Sequence, residues 1–467
     1  TELTGRGLYV YPFWSANVLV TQLVAFFEDK MYKMDNLDGN LDSIAFATAQ
    51  SDAQFSTTVF STATQNYMMI TNVNMDRLQQ YDGNAGTVSN LDNATITASK
   101  YVIAWKQHLW CAYTKETGTE HPYRLRRTDI GTRGLNAADW TGGVSGYDDV
   151  YTEDGDYITG VATLRGFLYL FKRDSIFRVS YLGGSPLVEI RQISSIGTSA
   201  FQTIKNITLL NGDEILAFLG SDNRLYIFNG YNAPQPISEL ISENNGISSY
   251  SLPKVNWEYA HLANAVNYDR RHWYVIFLPF GTSQTNNGGY IIDYYTQPFS
   301  IFPFDGWRGS GSTIMTDSSG NRNLYFQTYG GKVYQGDHGD NDVGSTINAF
   351  YHTARIKVDK APALKKTQQA QLLTKAIGDY DYTFGYRHNW SSSFVYNDIN
   401  QLGSGFILGT SVLGTGTLGG SDSKSVIIDM PRLFNFIQLL VKDDSVNPKL
   451  NLYQIDLLAD AEGLGKV

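Results

Sequence analysis

The stretch LGSDNRLYIFNG, Leu219 to Gly230, joins a polar turn to a short apolar strand that ends at a glycine. Related phrases recur: FFEDKMYKMDN (26–36), NVNMDRLQQYDGN (72–84), FKRDSIFRVSY (171–181) and TYGGKVYQGD (328–337). Each runs from a turn through a basic or small residue and an apolar one, usually aromatic, into a second turn, which is the grammar of a β-hairpin. Aligned on the residue after the apolar position, the marks fall at Tyr32, Gln79, Arg126, Phe177, Tyr226, Ile292 and Tyr334. Their spacings are 47, 47, 51, 49, 66 and 42 residues. Periods of roughly 40–50 residues with several short strands each are those of a β-propeller, in which no single unit can bury its own apolar face.

The composition agrees with an all-β chain. Among 467 residues stand 31 Tyr, 24 Phe and 44 Gly, with 17% charged residues; aromatics suit pleated half-buried surfaces and glycines suit the turns between them. We therefore expect a six- or seven-bladed β-propeller over residues 1–345, with inserted loops, followed by a small β-sandwich-like assembly domain over 346–467. Within one unit the strands read as Thr159–Leu164, Phe167–Phe171 and Ile176–Leu182. FGTSQTNNGG (280–289) is read as the loop that lengthens the 66-residue interval. TKETGTEHPY near Thr114 and TRGLNAADWTGGVSG near Thr132 are read as further insertions. GLYVYPF (7–13) is read as a strand closing the ring, incomplete if residues before Thr1 are missing. Past residue 345 the texture changes: lysines gather at Lys357, Lys360, Lys365, Lys366 and Lys375, and a short helix is allowed near Gln368–Lys375.

Chemistry-bearing motifs are sparse. The single cysteine, Cys111, reads as a small buried hydrophobe and excludes a disulfide framework. SANVLVTQLVAFF is too short and too polar for a membrane span, and no signal peptide is read at the start. The net charge of −9 comes without a basic tract, so sequence-led nucleic-acid binding is not expected; an acidic channel that nucleic acid passes without sticking remains compatible. The seven histidines form no H-x-x-x-H or H-E-x-x-H pair, and there is no G-x-S-x-G elbow or P-loop. The acidic stretches around Asp148–Asp156 and Asp337–Asp342 lack the full calcium-loop pattern, so ordinary solvated turns compete with an ion site there. No cofactor is expected. Asp154, Asp156, Glu214 and Asp293 are the carboxylates available to a glycosidase, the strongest enzyme alternative; the expectation is that the chain is not an enzyme.

Contact residues are expected elsewhere. Trp14 and Trp140 are read as exposed, whereas Trp105, Trp110, Trp257, Trp273 and Trp307 are read as packing within or between blades. Leu408, Gly409, Leu413, Gly414, Gly416, Leu418, Gly419 and Gly420 lie in a glycine-rich stretch read as an ordered rim or interface loop, with Lys357, Lys360, Lys365 and Lys366 as companions.

Three stretches carry a resemblance: MMITNVNMDRLQQYDGNAG, KYVIAWKQHLWCAYTKETGTEHPYRLRRTDIG with LNAADW, and DGDYITGVATLRGFLYLFKRDSIFRVSYLGG. Taken in order with FILGTSVLGTGTLGG and FNFIQLLVKDD near the end, they resemble the propeller-bearing tail nozzle, hub or stabilisation proteins of short-tailed bacteriophages. That resemblance implies a structural protein of the virion, in its tail or neck. It implies self-association, six copies around the DNA-conducting channel, with neck, tail or fibre proteins as neighbours. DNA would pass transiently without sequence-specific binding, as in ejection through a portal–tail complex. The alternative reading is a host-surface glycan-binding module or a propeller glycosidase.

Overall fold

In the computed structural model the described residues are 4–35, 39–84, 87–91, 95–151, 153–238, 253–339, 341–357, 365–375, 380–389, 391–401, 424–444 and 450–461. The chain divides into two compact units, Thr1–Asp337 and His338–Val467. The first holds seven consecutive antiparallel sheets, six of four strands and a last one of three among the described residues. They are the blades of a propeller. Their first strands are Gly5–Ser15, Phe55–Ser61, Ala98–Trp105, Ile158–Leu164, Lys205–Thr208, Asn264–Tyr268 and Gly309–Thr316. All seven aligned marks, Tyr32 to Tyr334, fall in the third strand of successive blades.

The opening stretch shows why the phrase repeats. Leu219 ends the second strand of blade 5, and the Gly220 amide donates to the Arg224 carbonyl at 2.8 Å across a turn whose Asn223 sits at φ 69°. The Tyr226 hydroxyl donates to the Asp222 carboxylate and so ties the third strand to its own turn. Alternate side chains then serve two neighbours, since successive residues of a strand point to opposite faces. Leu225 packs with Ala265 and Ile276 of blade 6, while Tyr226 and Phe228 pack with Leu164 and Phe171 of blade 4. A blade buried on both faces needs apolar residues in both phases, which is the reason these strands read as nearly continuous apolar runs.

Several expectations are corrected. Gly7–Phe13 is no outer closing strand; it belongs to the first strand of blade 1, and its neighbour across the ring seam is the first strand of blade 7. A Cβ at Gly311 would lie 2.7 Å from the Leu8 amide nitrogen, so only glycine lets the two strands approach this closely. Gln327 completes the seam, accepting from the Gly7 amide at 3.2 Å and donating to the Phe26 carbonyl at 2.5 Å. The long 66-residue interval owes less to 280–287 than to the link between blades 5 and 6, residues 239–263, which contains the 3-10 helix Trp257–Leu262. The stretch after Thr114 is a two-residue hairpin, with Thr117 and Gly118 at φ 45° and 88° between paired strands, and no insertion.

The second unit is a sandwich of two sheets. One has the order Ala349–His352, Ile437–Asp443, Tyr380–His388, Val395–Gln401; the other Lys424–Phe434, Lys365–Thr374, Leu452–Ala461. The helix allowed at Gln368–Lys375 is therefore a strand: Ala370 and Leu372 point into the core while Gln369 and Gln371 point away, a period of two. Among the described residues no helix is long and apolar enough to cross a membrane.

Candidate functional site

Blade topology sorts every loop of the propeller onto one of two faces. Turns joining the first to the second strand and the third to the fourth lie on one side, here face A; second-to-third turns and the links between blades lie on face B. Between blades 3, 4 and 5, face A carries a groove of ≈ 360 Å³ lined by Ala104, Trp105, Lys106, Thr163, Arg165 and Glu214, among others. Its walls are held from inside. Trp105 Nε1 donates to the Gly166 carbonyl at 3.1 Å, and Asn206 Nδ2 to the Thr163 carbonyl at 3.1 Å. Arg165 donates to the Glu214 carbonyl at 3.1 Å and pairs with Asp213 at 3.2 Å.

The propeller axis is bridged. Gln202, on the one-turn 3-10 helix Phe201–Thr203 between blades 4 and 5, accepts from Gln54 Nε2 at 3.4 Å and from Asn264 Nδ2 at 3.1 Å. Its own Nε2 donates to the Arg6 carbonyl at 3.4 Å. Arg6 belongs to blade 1, Gln54 leads into blade 2 and Asn264 starts blade 6, so these bonds join non-adjacent blades and cross the centre of the ring. Ser312 of blade 7 donates to Asn264 and extends the network. Sequence reading did not single out Gln202; nothing local distinguishes it from a surface glutamine.

Blade 3 holds the densest charge cluster. Glu116 accepts from Arg124 at 3.2 Å and Arg126 at 3.0 Å, while Asp149 pairs with Arg124 at 2.7 Å and Asp148 with Arg127 at 2.5 Å. Hydrogen bonds that Arg124 donates to Asp149, then the nearby charge of Glu116, hold its guanidinium protonated still more firmly than usual. Asp154 pairs with the fully buried Lys172 at 2.7 Å, and Asp156 accepts from the Asp174 amide at 2.9 Å. The acidic stretch is thus spent on internal partners, and among the described residues no group of three or more His, Cys, Asp or Glu side chains could hold a metal ion. Asp154 and Asp156 lie on face B, Glu214 and Asp293 on face A, so these four carboxylates do not converge on one bond.

The contact residues scatter. Trp14 is 44% exposed near the end of the first strand of blade 1. Trp140 was expected at the surface and is instead 0% exposed. It sits on the short helix Ala137–Thr141 with Phe60, Met69 and Cys111, and its Nε1 donates to the Gly134 carbonyl at 3.2 Å. Polar neighbours hid it, because the insertion folds back over the gap between blades 2 and 3. Lys357 and Lys366 are exposed; Lys365 opens a strand of the sandwich. Lys360 and Leu408, Gly409, Leu413, Gly414, Gly416, Leu418, Gly419 and Gly420 lie outside the described residues. Cys111 is buried as expected, and burial pushes its thiol up to about 12.

No protein-family profile and no curated protein matches the chain. Among solved structures it is similar to the dihydro-heme d1 dehydrogenase NirN at 10% identity and a TM-score of 0.40, covering 68% of this chain and 61% of that one. The WD40 domain of Toxoplasma gondii coronin matches at 9% identity and a TM-score of 0.40, with 72% and 87% covered. An exo-beta-1,3-galactanase from Phanerochaete chrysosporium matches at 10% identity and a TM-score of 0.27, with 89% and 98% covered. The chain thus spans about three fifths of the NirN chain. Glycoside hydrolases stand among these structures, against the expectation that the chain is not an enzyme. At these TM-scores the likeness assigns no activity to it either. The chain is a seven-bladed β-propeller joined to a β-sandwich.

Proposed function

We propose that the chain is a structural component of a bacteriophage tail or neck, assembled as a ring of copies around the DNA-conducting channel and serving as a platform for adjacent tail proteins. The observation that carries this reading is the bridged axis. Gln202 bonds across the ring to Arg6, Gln54 and Asn264, and in this reading the conduit runs between copies rather than through a propeller. The order of family-like phrases along most of the chain supports the same reading. Cross-linking of intact virions with peptide mapping, together with an averaged density map, tests it. The expected result is this chain in a closed ring at the tail. A chain that never enters particles would overturn the proposal.

A second reading has its own observation. The groove on face A presents Lys106, Arg165 and Glu214 in one place, polar groups of the kind that orient a sugar. Titration with host-surface polysaccharides, with turnover followed in parallel, separates the two. Binding or turnover abolished by Glu214→Gln together with Lys106→Ala would favour the glycan-directed reading.

A further inference from the structure

Blades 3 and 4 treat their arginines differently. On the third and fourth strands of blade 3, Arg124 stands across from Asp149 and pairs with it at 2.7 Å, while Arg126 and Arg127 are answered by Glu116 and Asp148. On the same two strands of blade 4, Ile176–Tyr181 and Val188–Ser194, Arg178 stands directly across from Arg191. Like charges so placed repel. Neither guanidinium makes an ion pair or a hydrogen bond among the described residues. Carboxylates are not in short supply, since 45 Asp and Glu stand against 36 Lys and Arg in the chain. Arg165, on the turn before the second strand of blade 4, does have its partner, Asp213 at 3.2 Å.

Side-chain alternation puts both unanswered arginines on the flank of blade 4 that faces blade 5. Phe177 and Val179 pack with Trp105 and Trp110 of blade 3, so Arg178 between them points the other way, as do Ile176 and Tyr169. The Tyr169 hydroxyl donates to the Gly230 carbonyl at 3.0 Å, which holds the next residue of blade 5, Tyr231, against this flank with 52% of it exposed. The Arg178 guanidinium lies 5.0 Å from the centre of the Phe167 ring, an arrangement that fixes its plane. Its Nε is buried without an acceptor, and its two Nη groups stay open. Arg191 is exposed beside it. Glu189, opposite Ser180 on the same flank, pairs with neither arginine.

We propose that Arg178 and Arg191 form a binding site for an acidic sugar, with its one carboxylate or phosphate group between the two guanidinium groups and its ring against Tyr231. A guanidinium presents its donors as a planar fork that matches either oxyanion. An anion placed between the two cancels their repulsion and takes the donors that the fold leaves unanswered. A long polyanion does not fit, because a chain of net charge −9 repels it and two arginines neutralise little of it. The exposed Tyr231 ring offers apolar area that a bare inorganic anion would leave unused. None of these residues lines the groove at Glu214, so the site goes beyond the glycan-directed reading of that groove.

The test is calorimetric titration of the whole chain with glucuronate, glucose 6-phosphate, glucose and inorganic phosphate. One or both acidic sugars are expected to bind, glucose is not, and inorganic phosphate is expected to bind more weakly by roughly tenfold. Binding of glucuronate alone names the carboxylate, and of glucose 6-phosphate alone the phosphate. Arg191→Gln is expected to raise the dissociation constant by roughly tenfold or more and Tyr231→Ala by a smaller factor. Without ligand, Arg191→Gln is expected to keep or raise the thermal unfolding midpoint, because it removes a repulsion. A lowered midpoint would mean that the guanidinium already has a partner, and overturns the proposal. So does the absence of binding by both acidic sugars, equal binding of glucose, or indifference to Arg191→Gln. Inorganic phosphate binding as tightly as the sugars marks an adventitious ion only and also overturns it. Binding lost in Glu214→Gln/Lys106→Ala but kept in Arg191→Gln would support the groove and overturn this site. The reverse pattern would support this site and leave the groove without its ligand.

Discussion

Lys205 opens the first strand of blade 5 with no carboxylate partner among the described residues, and burial lowers its ammonium to about 8 from an ordinary 10.5. A lowered value means that between pH 8 and 10.5 the unfolded chain holds a proton the folded chain has released. Stability then rises with pH across that window, and the penalty is fully present below it. Lys205→Met is expected to stabilise the protein at pH 7 by roughly 1–2 kcal/mol, after discounting for the residue's partial exposure. The gain should shrink toward zero by about pH 10.5, as followed by denaturant unfolding of both forms. A gain unchanged with pH would mean that packing and not charge sets the effect. Lys205 was invisible as a special residue in the sequence, because desolvation of its ammonium depends on tertiary packing and not on its own short strand.

At the scale of elements, the insertion of blade 3 shows how a polar-looking loop becomes part of the core. Trp140 NH bonds Gly134, and the Trp140 carbonyl accepts from Arg126 NH2 at 2.7 Å, linking the short helix to the buried Glu116 pair. Trp140→Ala removes a fully buried indole, and a loss of about 3–5 kcal/mol is expected in thermal or denaturant unfolding. Trp14→Ala, at an exposed tip, is expected to change stability by no more than about 0.5 kcal/mol. Equal effects would contradict the placement of either tryptophan. Strands were legible where turns bounded them: Ile158–Leu164, Phe167–Lys172 and Ile176–Tyr181 match the runs read in the sequence to within one residue. The strand Lys365–Thr374 was harder, since LTKA and the lysines around it favour helix locally while the sandwich imposes a period of two.

For the whole molecule, the seam between blades 1 and 7 decides whether seven blades form one cooperative body. Gly311 faces backbone there, with Leu8 N at 2.7 Å and the Gly7 carbonyl carbon at 2.9 Å from a would-be Cβ. Backbone cannot swing aside as a flexible side chain can. Gly311→Val is expected to cost about 3 kcal/mol and to broaden the unfolding transition as the seam opens. Gly184→Ala, where nothing lies within 4 Å, serves as the neutral control. A variant as stable and as sharply cooperative as the parent would show that the seam contributes little.

The linear chain by itself determined the repeat: seven aligned marks each became the third strand of a blade, while the number of blades stood at six or seven until the sheets were seen. That signal is local, because hairpin turns and two-residue alternation act over a handful of neighbours. Only the tertiary structure decided which side chains meet. It set Gln202 against Arg6, Gln54 and Asn264, drew Trp140 inward and left Trp14 outside. The physical reason is that a closed ring brings together residues up to 320 positions apart, such as Gly7 and Gln327. Such partnerships depend on the number and curvature of the blades, which no short window of sequence contains.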